Sequence, residues 1–177
     1  MKRFLNFFVS TLLIFCLIFF SSCGSISNVI EKKHLFDFIT DAQISYKDYD
    51  LITCKIKSVK DGPLTLDITK PVLLSGLSLV CENEGMTVKL GNLSYEADLK
   101  RFPQLSFGND LRKSLISAGE STQIIKNEDG TFLIKVQLES CHAELLLEKE
   151  TYYPIRLVIP EDELTVSFSN FTPTQNQ

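Results

Sequence analysis

From position 42 onward, apolar and polar residues alternate with a period of two, the pattern of strands with one dry face and one wet face. Ala42, Ile44 and Tyr46 alternate with Gln43, Ser45 and Lys47, and Ile52, Cys54 and Ile56 with Thr53, Lys55 and Lys57. After the turn Asp61-Gly62-Pro63, the residues Leu64, Leu66 and Ile68 continue the same beat. Further strands are predicted around Leu77 to Cys81, Val88 to Leu90 and Tyr95 to Leu99, separated by Asn83-Glu84-Gly85 and Gly91-Asn92. The second half repeats the pattern. Ile124-Ile125 and the Glu128-Asp129-Gly130 turn lead into Phe132, Ile134, Val136 and Leu138. Then follow Ala143, Leu145 and Leu147, next Ile155, Leu157 and Ile159, and finally Leu164, Val166 and Phe168. About eleven strands result, at the spacing of an antiparallel sheet or barrel.

One helix interrupts them. Asn109-Asp110 offers an Asx cap, Leu111, Leu115 and Ile116 share a side, and Ala118-Gly119 closes the helix. About eleven strands at about 4.8 Å each make a sheet roughly 50 Å wide. A helix of about ten residues is roughly 15 Å long and 10 Å across. It cannot shield the whole dry face. The fold class predicted is therefore mainly β: an antiparallel curled sheet, an unclosed half-barrel, with one short helix against its concave face. The interior is either filled by its own side chains or left partly open, and an open one would hold an apolar ligand. The residues predicted to line it are Leu64, Leu66, Ile68, Leu115, Phe132, Ile134, Val136, Val166 and Phe168.

The first 22 residues follow a different rule. Met1-Lys2-Arg3 supplies two positive charges, and 15 of these 22 residues are hydrophobic. The stretch Phe4 to Phe20 would span roughly 26 Å as a helix, short of the roughly 30 Å hydrocarbon core. A charged start, an apolar stretch and then small residues form the secretory signal pattern. Ser21-Ser22 directly before Cys23-Gly24 resembles the bacterial lipobox, with Phe20 where Leu is usual. The resemblance implies diacylglyceryl transfer to Cys23 and a protein held at a membrane of the bacterial cell envelope, its domain outside the cytoplasm. An uncleaved signal anchor and plain secretion are the other two readings. The chain thus divides into a signal (1–22), a lipidated tether (23–37), one β-rich domain (38–172) and a polar tail (173–177).

Charge and chemistry narrow the function further. Without the signal the chain carries 16 basic and 22 acidic side chains, a net of about −6, which argues against a nucleic-acid partner. Cys54, Cys81 and Cys141 allow one disulfide at most, and Cys54 reads as buried filler in step with Ile52 and Ile56. Cys141 and His142 are sequence neighbours and point to opposite faces of a strand, so they cannot pair as nucleophile and base. His34 and His142 stand far apart, with no ligand-spaced cluster for a metal. The acidic run 161–163 reads as a solvated turn, and glycine-rich phosphate loops are absent. No catalytic residue, metal or cofactor is assigned, and an enzyme is not expected.

Several segments together resemble the Lol-type lipoprotein carrier and receptor superfamily and related lipoproteins of Gram-positive bacteria. They are 64–76, read as strand, with Lys70-Pro71 and Gly76-Leu77; Asp129-Gly130 before a strand; Tyr153-Pro154-Ile155-Arg156-Leu157; and 166–171. The resemblance covers most of the chain after the signal and is one of pattern. It implies an unclosed barrel around helical segments, with a cavity that receives lipid chains. The sequence departs from the family in lacking a Gly before Tyr153 and in having less helix to act as a lid, and no Arg here matches the carriers' functional Arg. The expectation is a membrane-anchored lipoprotein that binds or handles a lipid or acyl chain; the alternative is a structural lipoprotein that docks another envelope protein.

Overall fold

The computed structural model describes residues 37–83, 85–121 and 123–173. The signal, Cys23, the tether up to position 36 and the tail from position 174 lie outside the described residues. Eleven strands form one sheet: β1 (Phe38–Tyr46), β2 (Ile52–Ser58), β3 (Leu64–Lys70), β4 (Leu77–Glu82), β5 (Gly85–Leu90), β6 (Leu93–Ala97), β7 (Ile124–Lys126), β8 (Phe132–Gln137), β9 (His142–Leu147), β10 (Pro154–Ile159) and β11 (Leu164–Pro173). Between β6 and β7 lies α1 (Phe107–Glu120).

The spatial order is β6-β5-β4-β3-β2-β1-β11-β10-β9-β8-β7, every pair antiparallel, and the two outer strands do not meet. The chain therefore makes two meanders that are stitched together through its first and last strands. Register along the β1–β11 seam shifts between Ile39 and Asp41. There the buried Thr40 hydroxyl donates to the Ser169 carbonyl at 2.5 Å, which satisfies a polar group inside the sheet. On the convex side, Asp41 accepts from Asn170 Nδ2 at 3.0 Å and pairs with Lys55 at 3.2 Å. These two partners hold its carboxyl below the ordinary value.

The helix has to travel from one edge strand to the other, so it crosses the concave face. It touches β3 and β4 on one wing and β8 on the other. In a flat sheet β4 and β8 would lie roughly 34 Å apart. One helix reaches both only because the sheet curls. Leu111, Leu115 and Ala118 form its inner stripe, with Phe107 and Gly108 at its start. It begins two residues before the predicted Asx cap, preceded by a single 3-10 turn at Pro103–Leu105. Asn109 is consequently buried inside the first turn instead of capping it. The predicted stop also moves: helix continues past Gly119 to Glu120.

Two other differences matter. The segment 64–76 is strand only to Lys70; the cis Lys70-Pro71 bond and a 3-10 turn at Val72–Leu74 follow. The register slips by one between Pro154 and Arg156, so Pro154 faces inward and Ile155 leaves the dry face predicted for it. The turn at 127–131 is as expected, with Gly130 at φ +89°.

The two ends of the curled sheet differ. At one end Phe38, the first residue of β1, meets Phe171 edge-on at 5.3 Å, and Phe171 stacks on Tyr153 at 4.6 Å. Phe168 lies 6.2 Å from Phe171 and completes an aromatic plug. At the other end, about 27 Å along β1, lie Tyr46, the start of β2 and the 71–76 segment.

Gly108 is the closest approach of helix to sheet: a Cβ there would stand 2.7 Å from Cys81 Sγ and 3.0 Å from Met86 Cε. Gly108→Ala is expected to lower stability by about 1–3 kcal/mol through overpacking. Urea unfolding measures this; an unchanged midpoint would mean that Cys81 and Met86 yield freely.

Candidate functional site

How far the helix shields the concave face can be followed along cross-strand rows. In one row Leu64, Cys81, Met86 and Ala97 face each other across β3 to β6, directly under the helix start. That row is buried as far as Met86. The next row is Leu66, Leu79, Val88 and Tyr95. Leu66 and Leu79 are buried, Val88 is half-buried, and Tyr95 is 58% exposed. A third row, Leu77, Leu90 and Leu93, is more open still, with Leu93 72% exposed. The strands keep their apolar inner positions past the point where the helix gives cover. The dry face is uncovered on this wing.

A cavity of about 500 Å³ occupies that place. Its floor is Ile52, Ile68, Leu79 and Val88; Leu105 and Phe107 of the helix entrance form one side, and Tyr46 and Tyr49 another. Tyr46 packs against Phe107 at 5.6 Å and stacks with Tyr49 at 5.7 Å, so the aromatic wall is held from two directions. Pro71, Leu73 and Leu74 make the lip. At its outer turn Val72 is 87% and Leu73 95% exposed, although both are large apolar residues. The volume falls within the usual few hundred to a thousand cubic ångströms of ligand pockets. Its lining is almost wholly hydrocarbon, with Asp50 the one charged residue.

Of the residues predicted to line a cavity, Ile68 borders this one, and Leu64 and Leu115 border only a much smaller space near the 58–64 turn. Leu64, Leu66, Leu115, Phe132, Ile134, Val136, Val166 and Phe168 are placed in the packed interior. Sequence reasoning missed the aromatic wall and the lip. Tyr49 lay in a corner and Leu73 in an expected strand, and nothing in a period of two marks either.

A second, much smaller space of about 20 Å³ lies between the 58–64 turn and Leu115. It has room for about one water. Arg112 reaches the Gly62 carbonyl there through Nη2 at 3.2 Å, and its buried Nε has no protein partner.

The titratable groups build no reaction centre among the described residues. His142 Nδ1 lies 2.5 Å from Glu161 Oε1, and both side chains are nearly half exposed on the surface, away from the cavity lining. Backbone N–H of its own turn and then His142 hold the Glu161 carboxyl below its usual range. Burial, and after it the neighbouring Asp162, pushes Asp110 up. No group of three or more His, Cys, Asp or Glu gathers as a metal site among the described residues. Cys54, Cys81 and Cys141 are free and buried, with Cys54 in the core beside Ile56 as expected.

No family profile and no curated protein matches the chain. Similarity is found among solved structures. An uncharacterized conserved protein from Thermus thermophilus superposes with a TM-score of 0.50 at 12% identity, over 89% of this chain and 90% of its own. A LolA superfamily protein from Nitrosomonas europaea gives a TM-score of 0.48 at 10% identity, over 88% of this chain and 96% of its own. The similarity is distant and concerns the fold.

Burial pushes the thiols of Cys54 and Cys81 up to about 12. In the unfolded chain they ionise near the ordinary value, so as pH rises the unfolded state releases its protons first. Stability from this source is complete below about pH 8 and is lost progressively between about pH 9 and 12. Between pH 8 and 10 the loss should be on the order of 1 kcal/mol per thiol. Urea unfolding across this range should show a shallower slope for the Cys54→Ala, Cys81→Ala double variant; equal slopes would refute the assignment.

Proposed function

We propose that this protein is a non-enzymatic binder of an apolar ligand, a lipid or acyl chain, taken into the cavity between the β1–β5 wing and the start of the helix. The observation that carries this reading is the open, hydrocarbon-lined space of about 500 Å³ on a face the helix leaves bare. Burying apolar ligand surface there gains roughly 25 cal/mol per Å². The exposed Val72 and Leu73 give the lip an apolar edge over which a chain can pass from one greasy environment to another. The resemblance of the sequence pattern to Lol-type carriers and receptors points the same way. A signal ending at Ser22, directly before Cys23, supports a membrane-anchored lipoprotein of the bacterial envelope, with the membrane as partner through Cys23.

A second reading has its own observation. Among the described residues, the edge strand β6 has no partner on its outer side, and it carries the exposed Leu93 and Tyr95. A docking role toward another envelope protein would use that edge.

Solvent extraction of the purified full chain should release lipid, and an apolar fluorophore should bind with saturable enhancement. Leu77→Trp and Val88→Trp, which place bulk in the cavity, should weaken fluorophore binding at least tenfold with little change in unfolding midpoint. A clean extract together with no fluorophore binding would overturn the lipid-binding reading and leave the docking role.

A further inference from the structure

The walls of the cavity are asymmetric in charge, and register explains why. On β3, Lys70 aligns with Thr53, whose neighbours Ile52 and Cys54 face inward, so Lys70 belongs to the convex side. On β5 and β6, Lys89 aligns with Ser78, and Glu96 with Thr87, both again opposite in parity to Leu79 and Val88. The lip sequence 71–76 and the helix entrance 102–106 contain no ionisable residue. Arg101, just before that entrance, pairs with Asp98 at 3.4 Å. Lys47 sits over the Tyr46 ring at 5.0 Å, is attracted by Asp162, and is not part of the lining. What is left on the wall itself is the carboxylate of Asp50, at the turn that delivers Ile52 to the floor.

We infer that Asp50 makes the cavity selective by head group: it accepts apolar chains with neutral or cationic heads and disfavours those ending in carboxylate or phosphate. This inference rests on the ligand-binding reading above and specifies its ligand class. A chain lying along Ile68 and Leu79 brings its polar end to the mouth, where Asp50 is the charged residue of the lining. Two like charges about 4 Å apart in water repel by ~1 kcal/mol, about a fivefold change in affinity. Salt at about 0.5 M should erase most of it, because the mouth is open to solvent.

The experiment uses the full chain at neutral pH and low salt. Three amphiphiles of equal chain length, each below its micelle concentration, displace an apolar fluorophore: a fatty amine, a monoacylglycerol and a fatty acid. Amine and monoacylglycerol should displace at concentrations about fivefold or more below the fatty acid. Asp50→Asn should bring the fatty acid to the level of the monoacylglycerol, and an unaltered urea-unfolding midpoint shows that the variant is folded. Equal displacement by all three in the unaltered protein, or a ratio that Asp50→Asn does not move, overturns the head-group assignment while ligand binding stands. Failure of all three to displace, with no fluorophore bound at the outset, overturns both.

Discussion

The pairing of β1 with β11 is the interaction on which the architecture depends. It joins the first strand to the last at the centre of the sheet, with Thr40 closing the bulge and Asp41, Asn170 and Lys55 linked across its outer surface. Because these strands are central, the ends of both meanders become the edges. The segment between β6 and β7 has no route except across the concave side, and the helix is the form it takes there. Remove the central seam and each meander would keep a bare apolar face with nothing to lie against. The surface ion pair contributes little on its own; the hydrogen-bonded ladder and the side chains beneath it do the joining.

From that constraint follows a division of labour within one face. The β8–β11 wing is filled by its own apolar side chains and those of the helix, and the first cross-strand row of the other wing, Leu64, Cys81 and Met86, is covered by the helix start. The outer rows of β4 to β6 keep the same residue types but lie beyond the helix. An apolar surface that a chain retains without covering is unusual for a folded domain. Here it is contiguous with an enclosed floor and an aromatic wall, so it has the form of a receptacle and not of scattered exposure.

Much of this was legible in the sequence. Alternation at Ile52/Cys54/Ile56, Leu64/Leu66/Ile68 and Phe132/Ile134/Val136 reports which side of a strand meets the interior, and the area those residues present exceeds what one helix can shield. The eleven-stranded, uncovered sheet follows. The exceptions share a cause: each is decided by partners remote in sequence. Ile155 turns outward because of a slip against β9. The helix starts at Phe107 because Gly108 lets the backbone descend onto Cys81. Which apolar residues line a void and which fill a core depends on where the helix stops short, so Ile68 could not be told from Leu66 by periodicity.

The aromatic plug has a directional consequence. Phe38 is the point at which any preceding chain enters the domain, and it enters at the stoppered pole. The plug thus separates the chain's point of entry from the cavity by the length of β1, so that whatever approaches one leaves the other sterically free.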